Sequence, residues 1–364
     1  MKLTSKIYET ADMSQFADMV YELGWTDGLP VFPPTDDKIT AMIDYIGRDA
    51  GEVLGVVPPG EGIATVEKVA INAVMAGCRP EYLPVVITAL EAMLDPAFEL
   101  LRVQATTAGP APLAIMSGPV VKALGFNYGA GAFTGTGHRP NATIGRAIRL
   151  ILWNIGYGRP GQMSQATMGH PGRYAYLIAE RPRDDGNPWE ELHVTNGLAP
   201  EDSAVSMLPV VTHDQITPAI GTQTFENSVY VIVDSICHLG NYRAASPKLL
   251  VLNPQAARLL DEAGWTKAKF RDLLVERCRR PVRDVKRTGG LSETYRTHWT
   301  KVADPNDDDA MVPAVVGENG LQILVSGGWA SASSQSIWLN TVHGEMVTRK
   351  IAWSWDENAR PARA

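Results

Sequence analysis

Glycine and proline gather at five places in this chain, and that clustering limits what it can fold into. The places are residues 27–35, with Pro30, Pro33 and Pro34; the turn Gly77-Cys78-Arg79-Pro80; the loop 129–140; the stretch 181–209; and the turn Gly327-Gly328. Proline fixes φ and removes a backbone donor, while glycine admits left-handed backbone, so each cluster ends one element and redirects the chain. Short elements joined by built loops exclude a coiled coil or a long helical bundle. Glycine and proline number 33 and 25 among 364 residues, about 16% where ~12% is usual. With 45% apolar and 20% charged residues the composition is not that of a disordered chain, and a sizeable core is expected.

Between the clusters, spacing predicts the elements. Phe16, Met19, Val20 and Leu23 have helical spacing that stops at Gly24, and a second helix is read over 36–46. Residues 64–95 read as a helical hairpin. Val66, Val69, Ala70, Ala73 and Val74 line one face, Gly77 closes the first helix, and Pro80 suits the first turn of the next. Residues 112–116 read as a strand ending in Ser117-Gly118, and Asn141 as the N-cap of an apolar helix over 142–155. In the second half, 230–234, 249–252 and 321–325 read as strands, and Asn253 and Thr266 cap two helices. Strands mixed with helices predict an α/β fold. It is expected as two interlocked α/β halves, 1–200 and 201–356, joined through 181–209, with the site between them and a disordered tail at 357–364. Each half has a helix pair and a strand ending in Ser-Gly, without any residue-level repeat.

The net charge is −7 and the pI about 5.6, which argues against a nucleic-acid partner. The one basic run, Arg277, Arg279, Arg280, Arg283, Lys286 and Arg287, is interleaved with Glu276 and Asp284 and reads as a solvated helix face. The first 16 residues hold no apolar signal-peptide core, and no apolar run approaches the ~20 residues that span a bilayer. No membrane association and a cytoplasmic location are expected. Three cysteines without a Cys-x-x-Cys pair fit a reducing compartment.

The most chemical segment is 128–141. Gly129, Gly131, Gly135 and Gly137 precede a helix N-terminus, where bare N–H groups and roughly half a positive charge favour an anion. It is not a dinucleotide fingerprint, because Thr134 stands where the third glycine belongs, and no Gly-Lys-Ser/Thr follows as in a P-loop. It reads either as a carboxylate or phosphate subsite or as a loop packed closely for structural reasons. Cys78 lies at a helix-to-helix turn beside Arg79, where a thiol can ionise easily; it also reads as a small buried apolar residue. Cys237-His238 reads as core plus surface, and His343 with Glu345 share a strand face as a two-residue acid/base or metal pair. The segment 326–334, rich in serine, lacks Gly-x-Ser-x-Gly and reads as site wall.

Several segments together carry a resemblance. They are Asp27-Gly28-Leu29-Pro30-Val31 with Pro33-Pro34-Thr35; residues 67–82 around Ala76-Gly77-Cys78-Arg79-Pro80; Asn141-Ala142-Thr143-Ile144-Gly145-Arg146-Ala147; and 252–265. Over about residues 20–350 the chain resembles the bacterial UGSC-type selenoprotein-associated family, a group related in name to glycine and betaine reductase selenoproteins. The resemblance implies thiol or selenol chemistry. This chain has no Cys-Gly-Ser-Cys or similar pair, so it resembles the large portion, and a small thiol or selenol partner subunit is implied.

The expectation is therefore a thiol-dependent enzyme, an oxidoreductase, lyase or hydrolase, acting on a small anionic organic substrate. Cys78, Arg79 and His138 are the expected catalytic residues, and Gly135, Gly137, Arg139, Asn141, Thr143 and Arg146 the expected binding residues. The sequence requires no metal and no cofactor. Two alternatives stay open: a metal-assisted hydrolase or lyase built from His, Asp and Glu, and a non-catalytic large subunit. Apolar helix stripes and nine tryptophans lead to the expectation of a homo-oligomer.

Overall fold

The structure, a computed structural model, describes residues 3–217, 224–242, 244–287, 299–317, 319–329, 336–340 and 344–355. Helices α1 (Met13–Glu22) and α2 (Asp36–Ile46) precede the hairpin β1 (Val53–Val57) and β2 (Gly62–Thr65). The helix pair α3 (Val66–Ala76) and α4 (Leu83–Met93) follows, then α5 (Leu100–Ala105), β3 (Ala111–Ser117), α6 (Val120–Ala123) and α7 (Arg139–Asn154). Next come β4 (Leu177–Ala179), α8 (Leu192–Thr195), β5 (Ala204–Val210) and β6 (Thr212–Ile216). The remainder is α9 (Phe225–Ile236), β7 (Lys248–Leu252), α10 (Pro254–Glu262), α11 (Lys267–Arg277), β8 (Arg279–Pro281), α12 (Val282–Arg287), β9 (Met311–Pro313), β10 (Leu321–Val325), β11 (Ser336–Asn340) and β12 (Val347–Lys350).

The chain is an α/β fold with two mixed four-stranded sheets. The first has the order β12-β5-β3-β4, with β3 and β4 parallel and β5 antiparallel to both of its neighbours. The second has the order β10-β7-β11-β6, with β10 and β7 parallel and β11 antiparallel to its neighbours. The first sheet therefore reaches past residue 200, to β5, and takes its far edge strand from near residue 350.

Side-chain alternation sets the layers. Every residue of β3 is buried. Ala114 and Met116 pack with the helices of the first half, while Ala111, Leu113 and Ile115 pack with Leu249, Val251 and Leu324 of the second sheet. β7 divides the same way, since Leu250 and Leu252 join α9, α10 and α11. Strands covered on both faces read as continuous apolar runs, which is how 112–116, 249–252 and 321–325 appear in the sequence. The four layers are helices, sheet, sheet, helices. Among the described residues no helix is long and apolar enough to cross a membrane.

Two expected elements are corrected. Residues 230–234 lie inside helix α9, not in a strand. Thr224 caps that helix by accepting a hydrogen bond from the Asn227 N–H, and Val229, Ile232 and Ile236 are buried at helical spacing. A run of five apolar residues does not distinguish strand from buried helix. Helix α7 starts three residues earlier than expected. His138 is its N-cap, without a side-chain capping bond, Pro140 sits in its first turn, and Asn141 lies within it. The expected tail 357–364 lies outside the described residues.

Candidate functional site

Cys78 is positioned by the end of α3. Gly77, at φ +91°, terminates that helix, and the Cys78 N–H donates back to the Ala73 carbonyl at 2.9 Å. A side chain at residue 77 would crowd the Phe32 ring at 3.0 Å, so glycine is required there twice over. Across from the turn, Arg139 donates from Nε and Nη2 to the Gly77 carbonyl at 3.0 and 2.9 Å. The Thr143 hydroxyl donates to the Arg139 carbonyl at 2.8 Å, and its methyl stands 3.5 Å from where a side chain at residue 77 would begin, next to Cys78. Cys78, Arg139 and Thr143 thus meet at one point.

The electrostatics differ from expectation. Burial pushes the Cys78 thiol up to about 12, while Thr143 and the Arg139 charge pull it down. The thiol rests neutral because desolvation outweighs both. The cation beside the thiol is Arg139. Arg79 is corrected in this respect: it is half exposed, lies 3.7 Å from Glu81, and does not figure in the field at Cys78.

The other expected binding residues divide into open and committed groups. His138 and Gly137 are exposed at the mouth of α7, and Gly137, at φ +89°, has open space where a side chain would stand. Gly135 is buried against Asn141, whose Cγ would lie 2.5 Å from an added Cβ. Asn141 is fully buried; its Oδ1 accepts the Asn127 N–H at 2.9 Å and its Nδ2 donates to the Asn127 carbonyl at 3.0 Å. Arg146 holds Asp27 through two bonds of 3.1 and 2.8 Å and donates to the carbonyls of Pro30 and Leu29. Asn141 and Arg146, both expected as binding residues, hold the loops 127–135 and 27–30 in place. Cys78, Arg139 and Thr143 lie where α3 and α7 meet, while the two sheets meet in an apolar interior.

The glycine loop runs from this site to the meeting point of the two halves. The Thr134 N–H donates to the Leu177 carbonyl at 2.7 Å. The Tyr128 carbonyl accepts the Gly327 N–H at 2.9 Å, and the Arg181 guanidinium lies over both the Tyr128 and Trp329 rings, at 5.1 and 5.6 Å. Beside it is a buried polar group that the sequence reading missed. Glu180 accepts the Leu192 N–H at 2.6 Å and lies 3.9 Å from Lys267, which donates to the Glu190 carbonyl at 2.6 Å. Burial raises the Glu180 carboxyl and lowers the Lys267 ammonium. Ser117 Oγ and both His193 ring nitrogens, all fully buried, have no hydrogen-bond partner among the described residues. The Ser-Gly endings of β3 and β10 were the available signal, for Ser326 donates to the Ala179 carbonyl at 2.7 Å.

Among the described residues no three His, Cys, Asp or Glu side chains group as a metal-ligand set. His343 and residues 330–334 of the serine-rich segment lie outside the described residues. Cys237 follows a helix, not a strand, and is core as expected. The basic run pairs with acids, Arg280 with Asp234, Arg283 with Asp309 and Lys286 with Asp308. No protein-family model matches this chain, and no curated protein matches it.

Proposed function

We propose that this protein is a cytoplasmic enzyme acting on a small organic anion, with Cys78 as its reacting thiol. The observation that supports the reading is the convergence of Cys78, Arg139 and Thr143 where α3 ends and α7 begins. The first-turn N–H groups of α7, with the exposed Gly137 and His138, supply donors for a carboxylate or phosphate. Arg139 supplies charge to the thiol and the anion alike. Burial holds the thiol neutral, and Arg139 and Thr143 are the groups beside it that favour the thiolate.

The test is a thermal-shift screen with short-chain carboxylates and phosphate esters, followed by turnover assays on any that bind. Arg139→Met is expected to abolish the shift; Cys78→Ser is expected to keep it and lose turnover. Full turnover by Cys78→Ser sinks the reading. A second reading, a large subunit serving a small thiol or selenol protein, is favoured by the absence of a Cys-Gly-Ser-Cys pair in this chain and by the neutral state of Cys78. Co-purification of such a subunit, with turnover only in its presence, selects it. A homo-oligomer is part of the first reading, and sedimentation velocity measures it.

A further inference from the structure

Cys237 and Cys278 stand 41 residues apart in sequence and meet in the core of the second half. Each caps the C-terminus of a helix, Cys237 that of α9 and Cys278 that of α11. Their side chains lie in one core cluster, near enough for each thiol to act on the other, and their exposures are 1% and 0%. Arg280, two residues beyond Cys278, fixes the meeting from the backbone side. Its Nε donates to the Cys237 carbonyl at 3.0 Å, and its Nη2 lies 2.7 Å from Asp234 Oδ1 on α9. Both thiols are reduced.

We propose that Cys237 and Cys278 are a redox site separate from Cys78, a dithiol that hydrogen peroxide closes to a disulfide. The two sulfurs have unequal roles. Cys237 is held below the usual thiol value, first by its neighbour Cys278 and also by the charges of Arg280 and Lys248; Cys278 is pushed up by that same neighbour and by burial. Such a pair supplies one attacking and one resolving sulfur. The Cys237 thiolate attacks one peroxide oxygen and the O–O bond breaks. Cys237 becomes a sulfenic acid, and the departing hydroxide takes up the proton that Cys237 lost, forming water. Cys278 then attacks the Cys237 sulfur, the S–S bond forms and the S–O bond breaks, and the oxygen leaves as a second water carrying the Cys278 proton. Two electrons pass from the sulfurs to the peroxide. Burial selects the oxidant by size: peroxide enters on a local opening, and a bulky disulfide such as oxidised glutathione does not.

The test treats the full-length protein with hydrogen peroxide, blocks remaining thiols with N-ethylmaleimide under denaturing conditions, and maps peptides by mass spectrometry. The expected result is a peptide linking Cys237 to Cys278, loss of alkylation at both that dithiothreitol restores, and Cys78 still alkylated. In Cys278→Ser, dimedone is expected to label Cys237 as a sulfenic acid. Full alkylation of Cys237 and Cys278 after peroxide overturns the proposal. The wild-type measurement stands on its own if the variant does not fold.

Discussion

Arg139 rests its guanidinium on the carbonyl of Gly77, through two bonds of 3.0 and 2.9 Å, and so ties the first turn of α7 to the residue before Cys78. The same side chain is the cation in the field of the thiol. One group thus serves the geometry of the turn and its electrostatics.

Cys78 gives the pH prediction. Its pKa is raised from 9.0 to about 12, chiefly by burial. The native state holds this proton more tightly than the unfolded chain does, so the contribution to stability is full below pH 9 and is lost as pH rises toward 12. Alkylation of the native protein by iodoacetamide is expected to keep accelerating beyond pH 9, whereas the unfolded chain levels off there. A native plateau near neutral pH contradicts the burial argument.

The glycines of the loop are predicted to be unequal. Gly137→Ala meets open space and pays only for left-handed backbone, about 1–2 kcal/mol. Gly135→Ala adds overlap with Asn141, which is itself bonded to Asn127, at a further cost of about 1–3 kcal/mol. Urea denaturation of both variants ranks them; equal losses show that the Asn141 contact carries no weight.

Arg146 is predicted to matter for stability and not for ligand affinity. Its pair with Asp27 is 15% and 3% exposed, and Arg146→Ala leaves that carboxylate buried without its counter-charge, held only by the Leu29 N–H and the Thr26 hydroxyl. A cost of about 3 kcal/mol is expected, with an unchanged dissociation constant for any bound anion in the protein that remains folded. Calorimetric titration beside urea unfolding separates the two.

Lys267→Met removes the partner of Glu180 and the donor to the Glu190 carbonyl. Burial raises the Glu180 carboxyl to about 8, so at neutral pH it is largely protonated and requires little counter-charge. The loss is expected to grow as pH rises above about 8, where Glu180 would ionise beside Lys267 but has no partner in the variant, and to reach about 3 kcal/mol or more there. Unfolding at a series of pH values reads this directly, and a pH-independent loss refutes it.

Punctuation made much of the fold legible. Gly77 and Pro80 divided α3 from α4, and Asn253 and Thr266 cap α10 and α11 through their side chains as their sequence positions suggested. The strands near 112, 249 and 321 were readable because burial on both faces leaves an unbroken apolar run. Helix α9 was not, since five apolar residues fit either element. Within the site, the nearness of Cys78 and Arg139 was readable only as two separate motifs. The task of Asn141 depends on Asn127 in the preceding loop, and that of Arg146 on Asp27, far back in the chain. Glu180 with Lys267, and Cys237 with Cys278, are brought together by the layers, and no local spacing announces them.

β12 pairs with β5 along the edge of the first sheet, with Val347 opposite Met207. During synthesis, that edge waits for its partner until residues near 350 have left the ribosome. All of the second half emerges first, while β5 presents an unpaired row of backbone donors and acceptors. The first half cannot be completed before the second exists, so the order of translation and the order of assembly differ, and loss of the last strand would be felt by the sheet that was made first.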